Sequence, residues 1–135
     1  MLYIVGLGPG DPDQLTLGAL KVLEAGYPVF LRTAVHPVVP FLEQRGIKME
    51  SFDALYESKA AFEDVYKAIV ASVMRLASQN TDVVYAVPGN PLFGEATVTG
   101  LMAACQKQKM AYHMIGGVSF IDVAMDELGI DAVEG

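Results

Sequence analysis

The sequence predicts an α/β fold, a three-layer sandwich in which a five-stranded, mainly parallel sheet carries helices on both faces. Short apolar runs alternate along the chain with longer stretches in which apolar residues recur at helical spacing. The short runs are continuously apolar, which is typical of parallel strands that are buried on both faces. Glycine and proline gather directly after several of these runs, where the strands would end.

Two strand–helix units occupy the first third of the chain. The first strand is predicted at residues 2–5, and Thr16 is the predicted N-cap of the helix that follows. Gly26 ends this helix, because glycine is favoured just past a helix C-terminus. The second strand is predicted at residues 28–32. Pro37 then takes the first position of a second helix, where its missing N–H costs nothing.

The longest predicted helix lies in the middle of the chain. Apolar residues that include Val65, Ile69 and Val73 recur at helical spacing from Ser58 onward. The patterns before and after it return to strand–helix alternation, which completes the predicted sheet. The other predicted elements are strands at 47–50, 82–87 and 111–115 and helices at 93–109 and 119–128.

The composition excludes several classes of protein. Hydrophobic residues make up 53% of the chain and charged residues 19%, so the chain is not disordered. A net charge of −7 argues against a broad nucleic-acid interface, and no apolar stretch is long enough to span a membrane. The single cysteine, Cys105, excludes a disulfide framework and a cysteine-based zinc site, and it indicates a reducing, cytoplasmic location.

The unusual residues of the chain cluster after the predicted strands. Because parallel α/β sheets bind ligands beyond the carboxyl ends of their strands, these loops predict a ligand crevice. Tight strand-to-helix turns also need glycine and proline, so the prediction depends on several such loops meeting at one edge. The loop residues are Gly6, Gly8, Pro9, Gly10 and Asp11, then Arg32, Thr33 and His36, then Pro88, Gly89, Asn90 and Pro91, and finally Gly116, Gly117 and Ser119.

Common ligand motifs do not fit these loops. Asp11 stands where a dinucleotide fingerprint needs its third glycine, and Glu95 stands where a phosphate-binding loop needs lysine. His36 and His113 have no metal-ligand spacing, and no nucleophile–base pair can be identified. A site without acid–base groups is compatible with methyl transfer from S-adenosylmethionine, which mainly requires alignment of the reactants and exclusion of water.

The opening motif "VGLGPGDPDQLT" resembles the first loop of the tetrapyrrole methylase family, whose pattern is G-x-G-P-G-D-P-x-x-L-T after an apolar strand. Further segments, among them "LRTAVHP", "VVYAVPGNPLFGEATV" and "GGVSFID", resemble the branch of that family that is fused to a MazG-type nucleotide pyrophosphohydrolase. The resemblance covers essentially the whole chain. The family residues matched in the first loop are Gly6, Gly8, Pro9, Gly10, Asp11, Pro12, Leu15 and Thr16.

The resemblance implies the N-terminal α/β domain, over residues 1–135, of a two-domain methyltransferase that binds S-adenosylmethionine between its domains. The chain stops at "LGIDAVEG" without a closing element, which indicates part of a larger protein. Asn90 replaces an acidic residue of the family pattern, and Gly116 replaces a proline. The cofactor-binding residues that the resemblance implies are Pro9, Pro88, Gly89, Asn90, Gly117, Val118, Ser119 and Phe120.

Three functions remain open at this point. The chain is part of a methyltransferase that acts on a small molecule such as a tetrapyrrole, or a degenerate methylase domain that regulates an attached pyrophosphohydrolase, or part of an RNA methyltransferase. The acidity of the chain argues against the RNA function. The family resemblance also implies a homodimer.

Half of a two-domain enzyme would expose an apolar face that the partner domain normally covers. Tyr56, Phe62, Tyr66 and Phe93 are candidates for this partly exposed surface. For Phe62 an ordinary place in the core is expected instead.

Overall fold

The computed structural model describes residues 1–59 and 61–133, and within them the five predicted strands form one sheet. Glu134 and Gly135, the end of the "LGIDAVEG" segment, lie outside the described residues. The strands are β1 (Leu2–Gly6), β2 (Val29–Leu31), β3 (Met49–Ser51), β4 (Val83–Val87) and β5 (Tyr112–Ile115).

All strand pairings in this sheet are parallel, and the strand order is β3-β2-β4-β1-β5. Leu2 of β1 is in register with Val83 of β4 on one side and with Tyr112 of β5 on the other. The predicted α/β class with helices on both faces is confirmed. Parallel pairing places the carboxyl ends of the strands at one edge, so the loops that follow β1, β4 and β5 are neighbours there.

The helices are α1 (Leu17–Leu23), α2 (Val39–Gln44), α3 (Asp53–Ser58), α4 (Phe62–Gln79), α5 (Ala96–Gln108) and α6 (Phe120–Leu128). They pack on both faces of the sheet. Alternate residues of β4 point to opposite faces: Tyr85 joins the cluster with α4 and α5, whereas Ala86 joins the cluster with α1 and α2. Leu55 and Tyr56 of α3 pack against the first of these clusters, and α6 adds no fully buried residue.

Side-chain caps are formed at two of the predicted helix N-termini. The Thr16 hydroxyl accepts a hydrogen bond from the backbone N–H of Ala19 at 3.0 Å, so the predicted N-cap of α1 is confirmed. Ser119 and Asp122 form a capping box at the start of α6, in which the backbone N–H of Ser119 donates to the Asp122 carboxylate at 2.9 Å. This cap fixes the position of the loop that follows β5.

Three predicted helix starts differ from the structure. Pro37 is not the first residue of α2, because a turn in which Val39 N–H donates to the His36 carbonyl precedes the helix. The helix predicted from Ser58 begins at Phe62, and the separate short helix α3 comes before it. The helix predicted from residue 93 begins at Ala96, because the preceding residues form a loop.

The single cysteine lies in the core, whereas His113 lies at the surface. Cys105 is buried, its Sγ lies 3.8 Å from the sulfur of Met74, and burial raises the pKa of its thiol. His113 is exposed on β5, with its ring 6.1 Å from the ring of Tyr3. Within residues 1–59 and 61–133, no cluster of three or more His, Cys, Asp or Glu side chains could hold a metal ion. In the same described ranges, no helix is both long and apolar enough to cross a membrane.

One polar pair lies inside this core. Tyr85 and Thr97 are both buried, and their hydroxyls form a hydrogen bond at 2.8 Å that joins β4 to α5. We expect Thr97→Val to lower the free energy of unfolding by about 1–3 kcal/mol, because it leaves the Tyr85 hydroxyl without its partner. The double variant Tyr85→Phe, Thr97→Val should lose less stability than Thr97→Val alone, because it leaves no buried hydroxyl without a partner. Urea unfolding measures both, and equal stability of Thr97→Val and wild type would contradict the prediction.

Candidate functional site

Three loops meet at the carboxyl edge of the sheet and pack backbone against backbone. Gly8 and Gly89 exchange hydrogen bonds, with Gly89 N–H donating to the Gly8 carbonyl at 2.8 Å and the reverse bond at 3.2 Å. A Cβ atom on Gly6 would lie 2.5 Å from the Gly89 carbonyl oxygen, and one on Gly117 would collide with the same oxygen. Glycine is therefore required at these positions by the packing of the loops themselves.

Asn90 ties two of the loops together. Its side-chain NH₂ donates to the Gly117 carbonyl at 3.0 Å, and its side-chain oxygen accepts from Leu92 N–H at 2.8 Å. Both ends of the amide are thus engaged with the backbone. Asn90 fixes the loop after β4 against the loop after β5, which is a structural role that its position in the sequence motif does not reveal.

A cavity of about 370 Å³ opens between these loops. Its walls combine backbone, proline and phenylalanine rings with a few polar groups, which is the usual composition of a small-molecule site. Six of the eight sequence-predicted cofactor residues line it: Pro9, Pro88, Gly89, Asn90, Ser119 and Phe120. The remaining lining residues are Gly8, His36, Phe93, Gly94 and Glu95.

The other two predicted residues, Gly117 and Val118, line a hollow of about 720 Å³. Asn90 borders both spaces, so the structure brings all eight predicted residues to one edge of the sheet. Gly89 has a φ of +66°, and a Cβ there would meet only Ser119 Cα at 4.0 Å. A side chain at Gly89 therefore strains the backbone rather than colliding with the loops.

An ion pair that the sequence did not predict connects Glu95, in the cavity wall, to Arg32. Arg32, which follows β2, places its Nε 3.1 Å from a carboxylate oxygen of Glu95, and its terminal nitrogen donates to the Tyr56 hydroxyl at 3.2 Å. Burial raises the pKa of the Glu95 carboxyl, and the charge of Arg32 offsets part of that rise. Both residues follow strands at the same edge, which was the available signal for their proximity.

His36 joins the cavity to the loop after β1. Its Nε2 lies 3.0 Å from the Gly8 carbonyl oxygen, and its Nδ1 accepts from Val38 N–H at 3.2 Å. These partners select the neutral ring with its proton on Nε2. Burial lowers the pKa of His36; the bond to Gly8 opposes that shift, and the charge of Arg32 adds to it.

The lowered pKa of His36 predicts a pH dependence of stability. Below pH 6.5, the pKa of His36 in the unfolded chain, the unfolded chain binds more protons than the folded one. The contribution of His36 to the free energy of unfolding is therefore complete above that pH. It is lost as the pH falls toward the pKa of His36 in the folded protein. We expect stability to fall less between pH 7 and pH 5 in His36→Asn, whose side-chain oxygen can still accept from Val38 N–H. Urea unfolding at both pH values measures this, and an equal fall in both proteins would contradict it.

Apolar side chains rim the cavity. Phe93 and Phe120 pack edge to face with ring centroids 5.2 Å apart, and they remain 50% and 61% exposed. Leu92 beside them is also exposed. The predicted partial exposure of Phe93 is confirmed.

A separate apolar groove of about 710 Å³ lies between α4 and α5, away from the loops. Phe62, at the start of α4, is 71% exposed and stacks on Tyr66 with centroids 6.3 Å apart. The expectation that Phe62 belongs to the core is wrong, because its position on the first turn of α4 faces outward. Tyr56 and Tyr66 are partly buried.

The fold and the cavity define an α/β domain with a cavity of small-molecule size at the carboxyl edge of a parallel sheet, where such sheets commonly bind their ligands. The family model for Tetrapyrrole (Corrin/Porphyrin) Methylases matches residues 1–135, and the chain belongs to this family. Members of the family include methyltransferases that use S-adenosylmethionine.

Individual relatives agree with this assignment. The uncharacterized protein YabN of Bacillus subtilis (strain 168) is 41% identical over 134 residues, which are 99% of this chain and 27% of that protein. The crystal structure of uroporphyrin-III-C-methyltransferase from Thermus thermophilus is 28% identical, with a TM-score of 0.70 over 96% of this chain and 53% of that one. Cobalt precorrin-4 methyltransferase, at 21% identity and a TM-score of 0.69, shares the fold over 96% of this chain and 51% of that one. The chain therefore spans about half the length of the similar structures.

Proposed function

We propose that this chain is the N-terminal domain of an S-adenosylmethionine-dependent methyltransferase, with the cofactor lying between it and a C-terminal domain. The observation that carries the proposal is the meeting of three loops around one cavity in a domain of this family. The fold comparison supports it, since the Thermus thermophilus relative is named a methyltransferase.

The residues of the cavity fit this cofactor. The cofactor combines an adenosine part and a sulfonium centre with a charged amino acid end. The cavity walls offer the rings of Pro9 and Phe120 to the adenosine part and polar groups to the amino acid end. Pro88, Gly89 and Asn90 would hold the methionine end. When bound, S-adenosylmethionine supplies a methyl group on a sulfonium centre that is already an activated leaving group.

The work of the protein in such a reaction is to orient the reactants and to exclude water. The rigid contacts among the three loops suit the first task, because they fix the backbone that faces the ligand. The exposed rim of Leu92, Phe93 and Phe120 suits the second, because a covering domain can pack on it. We propose that the second half of the enzyme covers this rim and completes the site.

Calorimetric titration of the full-length protein with S-adenosylmethionine and S-adenosylhomocysteine tests the proposed function. We expect saturable binding of both with one site per chain. A full-length protein that is folded and binds neither compound would contradict the proposal.

The methyl acceptor is proposed to be a small molecule, with a tetrapyrrole as the first candidate because the Thermus thermophilus relative is named for one. A regulatory role beside a MazG-type pyrophosphohydrolase is the second candidate. The observation that favours it is the length of YabN, of which this chain matches only 27%, so that further domains have room there. RNA as the acceptor is disfavoured by the net charge of −7. A cytoplasmic location is proposed from the single, buried Cys105.

We also propose that the protein is a homodimer. The exposed ring of Phe62 beside the apolar groove between α4 and α5 supports a further contact on this face. Light scattering of the full-length protein should give twice the mass of one chain, and a monomer at high concentration would contradict the proposal.

A further inference from the structure

A positively charged ligand group in the cavity needs an acceptor, and Asn90 is poorly suited to be the main one. Its side-chain oxygen already accepts from Leu92 N–H, and its NH₂ already donates to the Gly117 carbonyl. These bonds hold two of the loops that form the cavity, and the amide carries no charge that would balance an ammonium group.

Among the described residues that line the cavity, Glu95 is the acidic one. Its side chain is only 11% exposed, and within residues 1–59 and 61–133 its carboxylate accepts no hydrogen bond of good geometry. Arg32 Nε lies 3.1 Å from one carboxylate oxygen, but its N–H is not directed at that oxygen and finds no other acceptor among the described residues. A largely buried carboxylate with unused acceptor capacity can accept hydrogen bonds from a further donor in the cavity.

We propose that Glu95, which is paired with Arg32, accepts hydrogen bonds from the α-ammonium group of S-adenosylmethionine. An ammonium carries three donors and no acceptor, which complements a carboxylate whose oxygens lack donors. Glu95 lines the same cavity as Pro88, Gly89 and Asn90, the residues proposed for the methionine end. This inference rests on the proposed function and adds the residue that recognises the charged end of the cofactor.

The test compares three thioethers that differ in the amino acid end. S-Adenosylhomocysteine has the ammonium, whereas 5′-methylthioadenosine lacks the whole amino acid group. We expect Glu95→Gln to weaken binding of S-adenosylhomocysteine to the full-length protein by about 10- to 100-fold, the effect of losing one charge-assisted hydrogen bond. Binding of 5′-methylthioadenosine should change by less than about twofold. The decarboxylated analogue 5′-(3-aminopropyl)thioadenosine keeps the amine. Its binding to Glu95→Gln should therefore weaken as much as that of S-adenosylhomocysteine.

Glu63→Gln is the matched control, because Glu63 is 80% exposed on α4 and its substitution should leave all three affinities unchanged. If the melting temperature of Glu95→Gln is well below that of wild type, Glu95→Asp is used instead. Aspartate keeps the charge but places it one methylene further from the ligand. We again expect weaker binding of S-adenosylhomocysteine and unchanged binding of 5′-methylthioadenosine. Equal affinity of wild type and folded Glu95→Gln for S-adenosylhomocysteine would overturn the inference alone, as would an equal loss for 5′-methylthioadenosine. A wild-type protein that binds none of the compounds would overturn the proposed function as well.

Discussion

Gly117→Ala is expected to destabilise the domain by about 3 kcal/mol, a large effect for the addition of one methyl group. The new Cβ would collide with the Gly89 carbonyl oxygen and would lie 3.0 Å from Gly6 Cα. Both are backbone atoms, so no side-chain rotation can make room. The loops after β1, β4 and β5 would have to separate. Urea unfolding of wild type and variant measures the change.

Gly18→Ala is the control for this substitution. Gly18 lies on α1, and a Cβ there would meet only Ile115 Cγ2, at an ordinary 3.8 Å. Alanine in a helix is favoured over glycine, so stability should rise by about 0.5–1 kcal/mol. If Gly117→Ala unfolded at the same urea concentration as wild type, the close packing of the three loops would be wrong.

The second large effect concerns the cofactor. We expect the 135-residue chain to bind S-adenosylmethionine at least about tenfold more weakly than the full-length protein, because one wall of a two-walled site buries only part of the ligand. The exposed Phe93 and Phe120 at the rim mark the surface that the isolated domain leaves uncovered. Calorimetric titration of both proteins in the same buffer measures the difference, and circular dichroism checks that the shorter chain is folded.

Equal affinity of the folded domain and the full-length protein would contradict the interdomain site. The experiment does not depend on the methyl acceptor, since only the cofactor is titrated. Turnover should be absent in the domain, because water is not excluded from the cavity.

The sheet could be predicted from the sequence because its central strands have a strong and simple pattern. β4 is buried at every residue from Val83 to Val87, so it appears as a continuous apolar run. The parallel arrangement follows from the helices between the strands. α3 was missed because the segment Asp53–Ser58 is short, has no fully buried residue and directly precedes a much stronger helical pattern.

The site could be predicted only at the level of its loops. Glycine and proline after strands indicate the edge where a ligand binds, and the eight predicted residues do lie there. The sequence could not show that Asn90 is used by the backbone, because its partners Leu92 and Gly117 depend on how two loops meet. It also could not show the pairing of Arg32 with Glu95, since these residues are distant in the chain and meet only through the strand order.

The same limit applies to Gly89. A side chain at Gly89 would border the cavity, but the φ of +66° means that Gly89→Val also strains the backbone. Loss of binding in that variant would therefore not separate a ligand contact from a disturbed loop. Glu95→Gln is the better probe, because it changes the charge and keeps the shape of the side chain.

The central claim is that S-adenosylmethionine binds at the edge where the three loops meet. A crystal structure of the full-length protein with S-adenosylhomocysteine tests it most directly. The account predicts that the homocysteine end lies against Pro88, Gly89 and Asn90, with the second domain covering Phe120. A ligand bound elsewhere, such as in the groove between α4 and α5, would contradict the account.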